Sequence, residues 1–190
     1  MVVLGLDPGF SSMGWALLNL SGAQPYCLDA GVIRTKPDNT LKRCDDNVRR
    51  CNELITVLWK LHRETDFDLI AAESQSWTSF HKADRALAMA WGAISAFAYM
   101  NHIHITQFRP QEIKKALCGQ QSASKSSVDQ ALCRECAGAE RALGGLLKSQ
   151  RNHAADALGA AWTSMDHGST KLMQKIRDKT LEKIKEGAGR

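Results

Sequence analysis

Three acids and one histidine occupy positions in this chain where side chains do chemistry. Asp7 closes the apolar run VVLGLD, and Glu73 closes FDLIAAE. His153 and Asp156 stand three residues apart in RNHAADALGAAW, a spacing that puts both on one face of a helix. The flanking Ala154, Ala155, Ala157, Gly159, Ala160 and Ala161 are small enough for that helix to pack closely on a sheet. Such packing would gather three carboxylates and an imidazole in one place. Like charges so close do not all stay ionised without a counter-charge, and a divalent cation supplies it. Oxygen-rich ligation suits Mg²⁺ or Mn²⁺, and a single imidazole is compatible with Mn²⁺. Two such ions roughly 4 Å apart can activate a water and stabilise the leaving oxygen in phosphodiester cleavage. Taken singly, each residue has an ordinary role: an Asp before Pro-Gly forms turns, and a Glu at a strand end caps a sheet. Their joint occurrence, in this order, carries the reading.

The elements that must position them follow from periodicity. Residues 2–7 and 14–20 read as strands joined by a turn at Pro8-Gly9, and 26–34 as a third. From Thr40 to Arg63 the apolar positions Leu41, Cys44, Val48, Cys51, Ile55 and Leu58 mark one face of a long amphipathic helix. Residues 67–73 form a buried strand, SQSWTSFHK a polar and aromatic loop, and Asp84 to Met100 an Ala-rich helix. A strand follows at 103–108, where His102 and His104 would share a face as structural residues. Pro110 stands near the start of the next helix, and GQQSASKSS is a flexible link. Helices are then expected at about 126–137 and 152–165, with a break at Gly144-Gly145. This order implies an α/β domain, a mixed sheet of about five strands with helices on both faces. Asp7 and Glu73 would sit on adjacent strands at one edge of that layer. The main domain would span 1–168, with a basic helical tail at 169–190 carrying Leu172, Ile176 and Ile184 on one side.

Composition limits the partners. At 190 residues the chain is one domain, or one domain with a tail. No segment approaches the ~18 apolar residues of a membrane span. The start, MVVLGLDPG, lacks a basic n-region, so the expectation is a cytoplasmic protein that is not secreted. The six cysteines then read as reduced thiols. Cys133 and Cys136 form CREC without a second pair at zinc-finger spacing, and Val128, Leu132 and Cys136 line one helical face. Residues 1–100 carry 10 Lys and Arg against 11 Asp and Glu, whereas residues 101–190 carry 15 against 9. A basic half points to a polyanion.

Four pieces, LGLDPGFSSMGWALL, LIAAES, RPQEIKKALCGQQSASKSSV and NHAADALGAAW, resemble the RuvC family of Holliday-junction resolvases within the ribonuclease H-like superfamily. They run in the family's order over roughly residues 1–165. The resemblance implies metal ligands at Asp7, Glu73, His153 and Asp156, with Mg²⁺ or Mn²⁺ as cofactor, two ions per site. His153 replaces the acid many members carry there, leaving three formal negative charges; it would ligate a metal or handle a proton. The family's two basic positions near the scissile strand fall on Lys114 and Lys125, catalytic and DNA-binding, and Lys115, by adjacency alone, is taken as a further DNA contact. An aromatic of the loop after Glu73, Trp77 or Phe80, would stack on a base near the junction crossover. The helix at 84–100 would join a homodimer.

The implied activity is a metal-dependent endonuclease that resolves four-way junctions by paired nicks leaving 5′-phosphate and 3′-hydroxyl ends. An alternative is a general debranching nuclease acting on forks, flaps and replication intermediates. A third is a junction-binding protein without catalysis, disfavoured because all four ligand positions hold competent residues. A fourth, an actin-like or sugar-kinase nucleotide site, needs two subdomains and a second glycine-rich motif that this chain lacks. No membrane is implied, and the sequence names no helicase partner.

Overall fold

The structure, a computed structural model, describes residues 1–74 and 81–188. Its centre is a five-stranded sheet in the order β3-β2-β1-β4-β5. β1 (Val2–Asp7) pairs antiparallel with β2 (Ser12–Asn19), which pairs antiparallel with β3 (Tyr26–Arg34). On its other side β1 pairs parallel with β4 (Leu69–Glu73), and β4 pairs parallel with β5 (His104–Phe108). The mixed sheet expected from the sequence is therefore the sheet observed.

Strand alternation divides the core in two. Leu4 and Leu6 of β1 and Ile70 of β4 face helices α1 (Arg43–Thr65) and α2 (His81–Met100), packing with Leu54, Leu58, Phe67, Ile94 and Phe97. Val3, Leu69 and Ala71 face the opposite side. There α3 (Pro110–Cys118), α4 (Lys125–Glu135), α5 (Ala139–Gly144) and α6 (Lys148–Ser164) close the second layer. A last helix, α7 (Gly168–Ala188), reaches the body through Arg177, which pairs with Asp68 at 2.6 Å, and through Thr106–Ser169 at 3.2 Å. Among the described residues no helix is long and apolar enough to cross a membrane.

Several local expectations shift. The buried face of α1 is Arg50, Leu54, Leu58 and Leu61, whereas Val48 is 61% exposed. Of the expected stripe, Leu58 is fully buried and Cys51 and Ile55 pack half-buried on the core, whereas Cys44, like Val48, is exposed. His102 lies outside β5, in the turn after α2 at φ 55°, so it and His104 share no strand face. The helix α5 was not expected, because its six residues are too short for a period to show. Helix α6 begins at Lys148, ahead of the expected 152. On α7, Leu172 and Ile176 face solvent, while Thr170 is fully buried and Met173 packs on the core. Val128 and Leu132 are buried on one side of α4, and Cys136, just past its end in extended conformation, is buried as well.

Candidate active site

Register places the two strand-end acids together. Leu6 pairs with Ala72 across β1 and β4, so the next step sets Asp7 beside Glu73. Both belong to the parity that faces α6: a Cβ on Gly5 would stand 2.0 Å from the Ala157 carbonyl oxygen. A Cβ on Gly14, which pairs with Asp7 on β2, would stand 2.1 Å from the carbonyl oxygen of His153. Only glycine at these two positions lets the α6 backbone lie against the strands. The alanines of α6 complete the fit, since Ala154, Ala157, Ala160 and Ala161 are all fully buried. Helix and sheet approach closely enough for two short side chains to reach across.

They do reach. Nδ1 of His153 lies 2.6 Å from Oδ2 of Asp7, which is only 6% exposed. Lys125, the first residue of α4, donates from Nζ to Oδ2 of Asp156 at 2.7 Å. A lysine at a helix N-terminus works against the helix dipole, and its pairing with Asp156 offsets that cost. The relation between α4 and α6 is fixed by a fork: Arg151 donates from Nε and Nη2 to the two oxygens of Asp129 at 3.0 and 2.9 Å. Sequence reasoning did not single out this fork, because neither residue belongs to a pattern that local spacing exposes.

The electrostatics describe a site short of positive charge. Burial pushes the Glu73 carboxyl up to about 7, helped by the charges of Asp156 and Asp7, against the pull of Lys125 and Lys114. Asp156 is also raised, chiefly by burial, with its bond to Lys125 opposing. The hydrogen bond to Asp7 raises His153, with burial opposing. The pairing with Asp156 raises Lys125. Asp7, Glu73, His153, Asp156 and Lys125 thus form one coupled group, and Lys114 of α3 acts on Glu73 from its edge. Lys115 is exposed and is not among the charges acting on these carboxyls. Trp77 and Phe80 lie outside the described residues.

Among the described residues, no three His, Cys, Asp or Glu side chains stand grouped so as to hold one ion as they are. Asp7 and Asp156 are instead engaged by His153 and Lys125. The donor set nevertheless fits a hard divalent cation, being three carboxylates and one imidazole, with the Glu73 carboxyl raised first by burial and then by the neighbouring charges of Asp156 and Asp7.

The RuvC family model, described as crossover junction endodeoxyribonuclease RuvC, matches residues 3–164. This chain belongs to the RuvC family. The crossover junction endodeoxyribonuclease RuvC of Natranaerobius thermophilus is 30% identical over 129 residues, covering 67% of this chain and 76% of the relative. That of Prochlorococcus marinus is 32% identical over 137 residues, 71% of this chain and 83% of the relative. Among solved structures, T. thermophilus RuvC in complex with a Holliday junction substrate superposes with a TM-score of 0.70 at 24% identity, over 86% of this chain and 92% of that one. The yeast mitochondrial Holliday junction resolvase superposes at 0.64 with 13% identity, over 92% of this chain and 83% of that one. The two superpositions establish the shared ribonuclease H-like fold.

Proposed function

We propose that this protein is a divalent-metal-dependent endonuclease that resolves four-way DNA junctions by paired nicks, leaving 5′-phosphate and 3′-hydroxyl ends. The observation that carries the reading is the convergence of Asp7, Glu73, His153 and Asp156 on one sheet edge, with Lys125 against them and Lys114 acting on Glu73. Asp7, Glu73 and Asp156 would hold Mg²⁺ or Mn²⁺, two ions per site, with His153 as a further ligand or as the group that handles the proton of the attacking water. The cations would supply charge for the attacking and leaving oxygens of the phosphodiester.

The chain's own groups do the rest. Lys125 is the internal counter-ion of Asp156; on substrate binding its ammonium is free to move to a phosphate oxygen, where it stabilises charge developing at phosphorus. The charge of Lys114 also acts on Glu73. The imidazole of His153, held through Nδ1 by Asp7, is fixed in orientation. Dimer formation would align two such sites on paired strands. Helix α2 supports this, since its outer face exposes Ala88, Gly92, Ser95, Ala96, Tyr99 and Met100, small or apolar groups on which a second copy of the helix could lie.

The test is cleavage of an immobile four-way junction beside a flap, a fork and linear duplex, with Mg²⁺, Mn²⁺ or EDTA. Metal-dependent paired nicks on the junction, absent in Asp7→Asn, are expected. Equal cutting of every branched substrate would replace this reading with a general debranching nuclease. Junction binding without cutting under either metal would leave a binding protein.

A further inference from the structure

A second charged cavity opens beside the site. Phe10 and Ser11, three and four residues after Asp7, line both the groove that holds Asp7 and His153 and an adjoining cavity of about 860 Å³. The second cavity is bounded by the start of α1 and the first turns of α2, and Arg43, Arg50 and Arg85 all line it. Arg43 and Arg85 are exposed, while Arg50 is only 6% exposed.

Arg50 is unusual among buried cations. Its Nε donates to Thr35 Oγ1 at 2.9 Å and its Nη2 to Ser11 Oγ at 2.7 Å, and the guanidinium lies 4.1 Å from the centre of the Phe10 ring. Its hydrogen-bond acceptors are hydroxyls and carbonyls, and among the described residues no carboxylate forms an ion pair with it. The acids of the same cavity are otherwise engaged: Asp46 pairs with Arg49, and Asp38 accepts from the hydroxyl and amide of Thr40 at 2.6 and 2.9 Å. A buried guanidinium whose hydrogen bonds all go to neutral groups keeps part of its field, since the Asp46 carboxylate that also feels it is already paired with Arg49. The two arginines at the rim supply planar donors that match phosphate oxygens.

We infer that the cavity lined by Arg43, Arg50 and Arg85 is a backbone-phosphate subsite that seats the DNA strand leading away from the cleavage site. Phe10 and Ser11 link the two, so one continuous strand passes from Asp7 to Arg50. The inference rests on the nuclease reading and deepens it, adding groups that position the strand without reading its sequence. It also gives Arg50 a second consequence: by holding Ser11 and the Phe10 carbonyl, it couples phosphate seating to the turn that follows Asp7.

The test measures equilibrium binding of full-length protein to an uncut four-way junction and to linear duplex, in EDTA, across a range of salt. Wild type is compared with Arg43→Ala, Arg85→Ala, Arg50→Gln and Arg50→Lys. Arg63→Ala, an exposed arginine near the far end of α1, controls for net charge. Arg43→Ala and Arg85→Ala are each expected to weaken binding to both DNAs by the same factor. Each should also lower the slope of log affinity against log salt by about 0.9, the share of a single phosphate that the variant no longer neutralises. Arg63→Ala should leave the slope unchanged, and Arg50→Lys should bind better than Arg50→Gln. Arg43→Ala and Arg85→Ala behaving as Arg63→Ala would overturn the subsite, whatever the folding of the Arg50 variants. Wild type that binds neither DNA would instead overturn the nuclease reading.

Discussion

The two faces of the sheet solve different problems with different residues. Toward α1 and α2 the core is large side chains, Leu54, Leu58, Phe67, Ile70, Ile94 and Phe97, all essentially inaccessible to solvent. Where α6 crosses the other face it is glycine on the strands and alanine on the helix, with backbone nearly touching backbone, and larger side chains such as Leu18, Leu69, Leu132 and Leu158 fill in around that contact. The first face buries much apolar area and stabilises the fold. The second buries less per residue but places His153 and Asp156 within reach of Asp7 and Lys125. Stability and catalytic geometry are therefore separable by substitution.

The sharpest way to break that separation is a methyl group under α6. Gly14→Ala puts its Cβ against the His153 carbonyl, so helix and strand must part. Displacement of a catalytic group by about 1 Å can cost about 100-fold in rate, and overpacking costs about 1–3 kcal/mol. Junction cleavage should fall at least that far while a folded protein remains by circular dichroism. Leu58→Ala on the other face should do the reverse. It should lower stability by about 2–5 kcal/mol in denaturant titration, yet leave the cleavage rate per folded molecule unchanged. Equal losses of rate in both variants would refute the division.

The burial of Glu73 among other carboxylates sets a smaller effect of opposite sign. Glu73 titrates near 7 in the folded chain against an ordinary 4.5, so the folded state holds the extra proton between those values. Stability from this group is therefore lost as pH rises from about 4.5 to 7, by at most about 3 kcal/mol. Glu73→Gln should raise the melting temperature in EDTA at pH 8.5, change it little at pH 4, and abolish cleavage. In wild type, the Mg²⁺ concentration needed for half-maximal cleavage should rise as pH falls below about 7, because the proton on Glu73 competes with the cation.

The smallest stability effect belongs to Lys125→Met. The lysine side chain is 67% exposed, so loss of its pair with Asp156 should cost no more than about 1 kcal/mol. Its rate effect should far exceed that, seen as a lower kcat with little change in KM.

Much of this comparison was legible in the sequence, and unevenly. Asp7 and Glu73 could be placed because a buried strand ending in an acid is a local pattern. His153 and Asp156 could be placed because small residues at helical spacing announce close packing. The resemblance to the RuvC family then joined four scattered pieces that no periodicity connects. What local patterns could not show is tertiary. Gly5 and Gly14 look like ordinary strand residues until α6 lies on them. The apolar stripe of α1 holds at Leu58, Cys51 and Ile55 but does not include Arg50: an arginine beside an apolar face reads as solvated until Thr35, Phe10 and Ser11 surround it. The pairing of Lys125 with Asp156 spans 31 residues and two helices, beyond any local pattern.

The central claim is that Asp7, Glu73 and Asp156 act together to hold the divalent cations. The most direct measurement is Mn²⁺ binding by isothermal titration calorimetry at pH 8, without DNA, for wild type, Asp7→Asn, Glu73→Gln, Asp156→Asn and Leu58→Ala. Saturable binding by wild type and Leu58→Ala, lost or severely weakened in each of the three site variants while they remain folded, is the expected result. Binding that survives unchanged in all three site variants would contradict the claim, placing the cation elsewhere on the molecule.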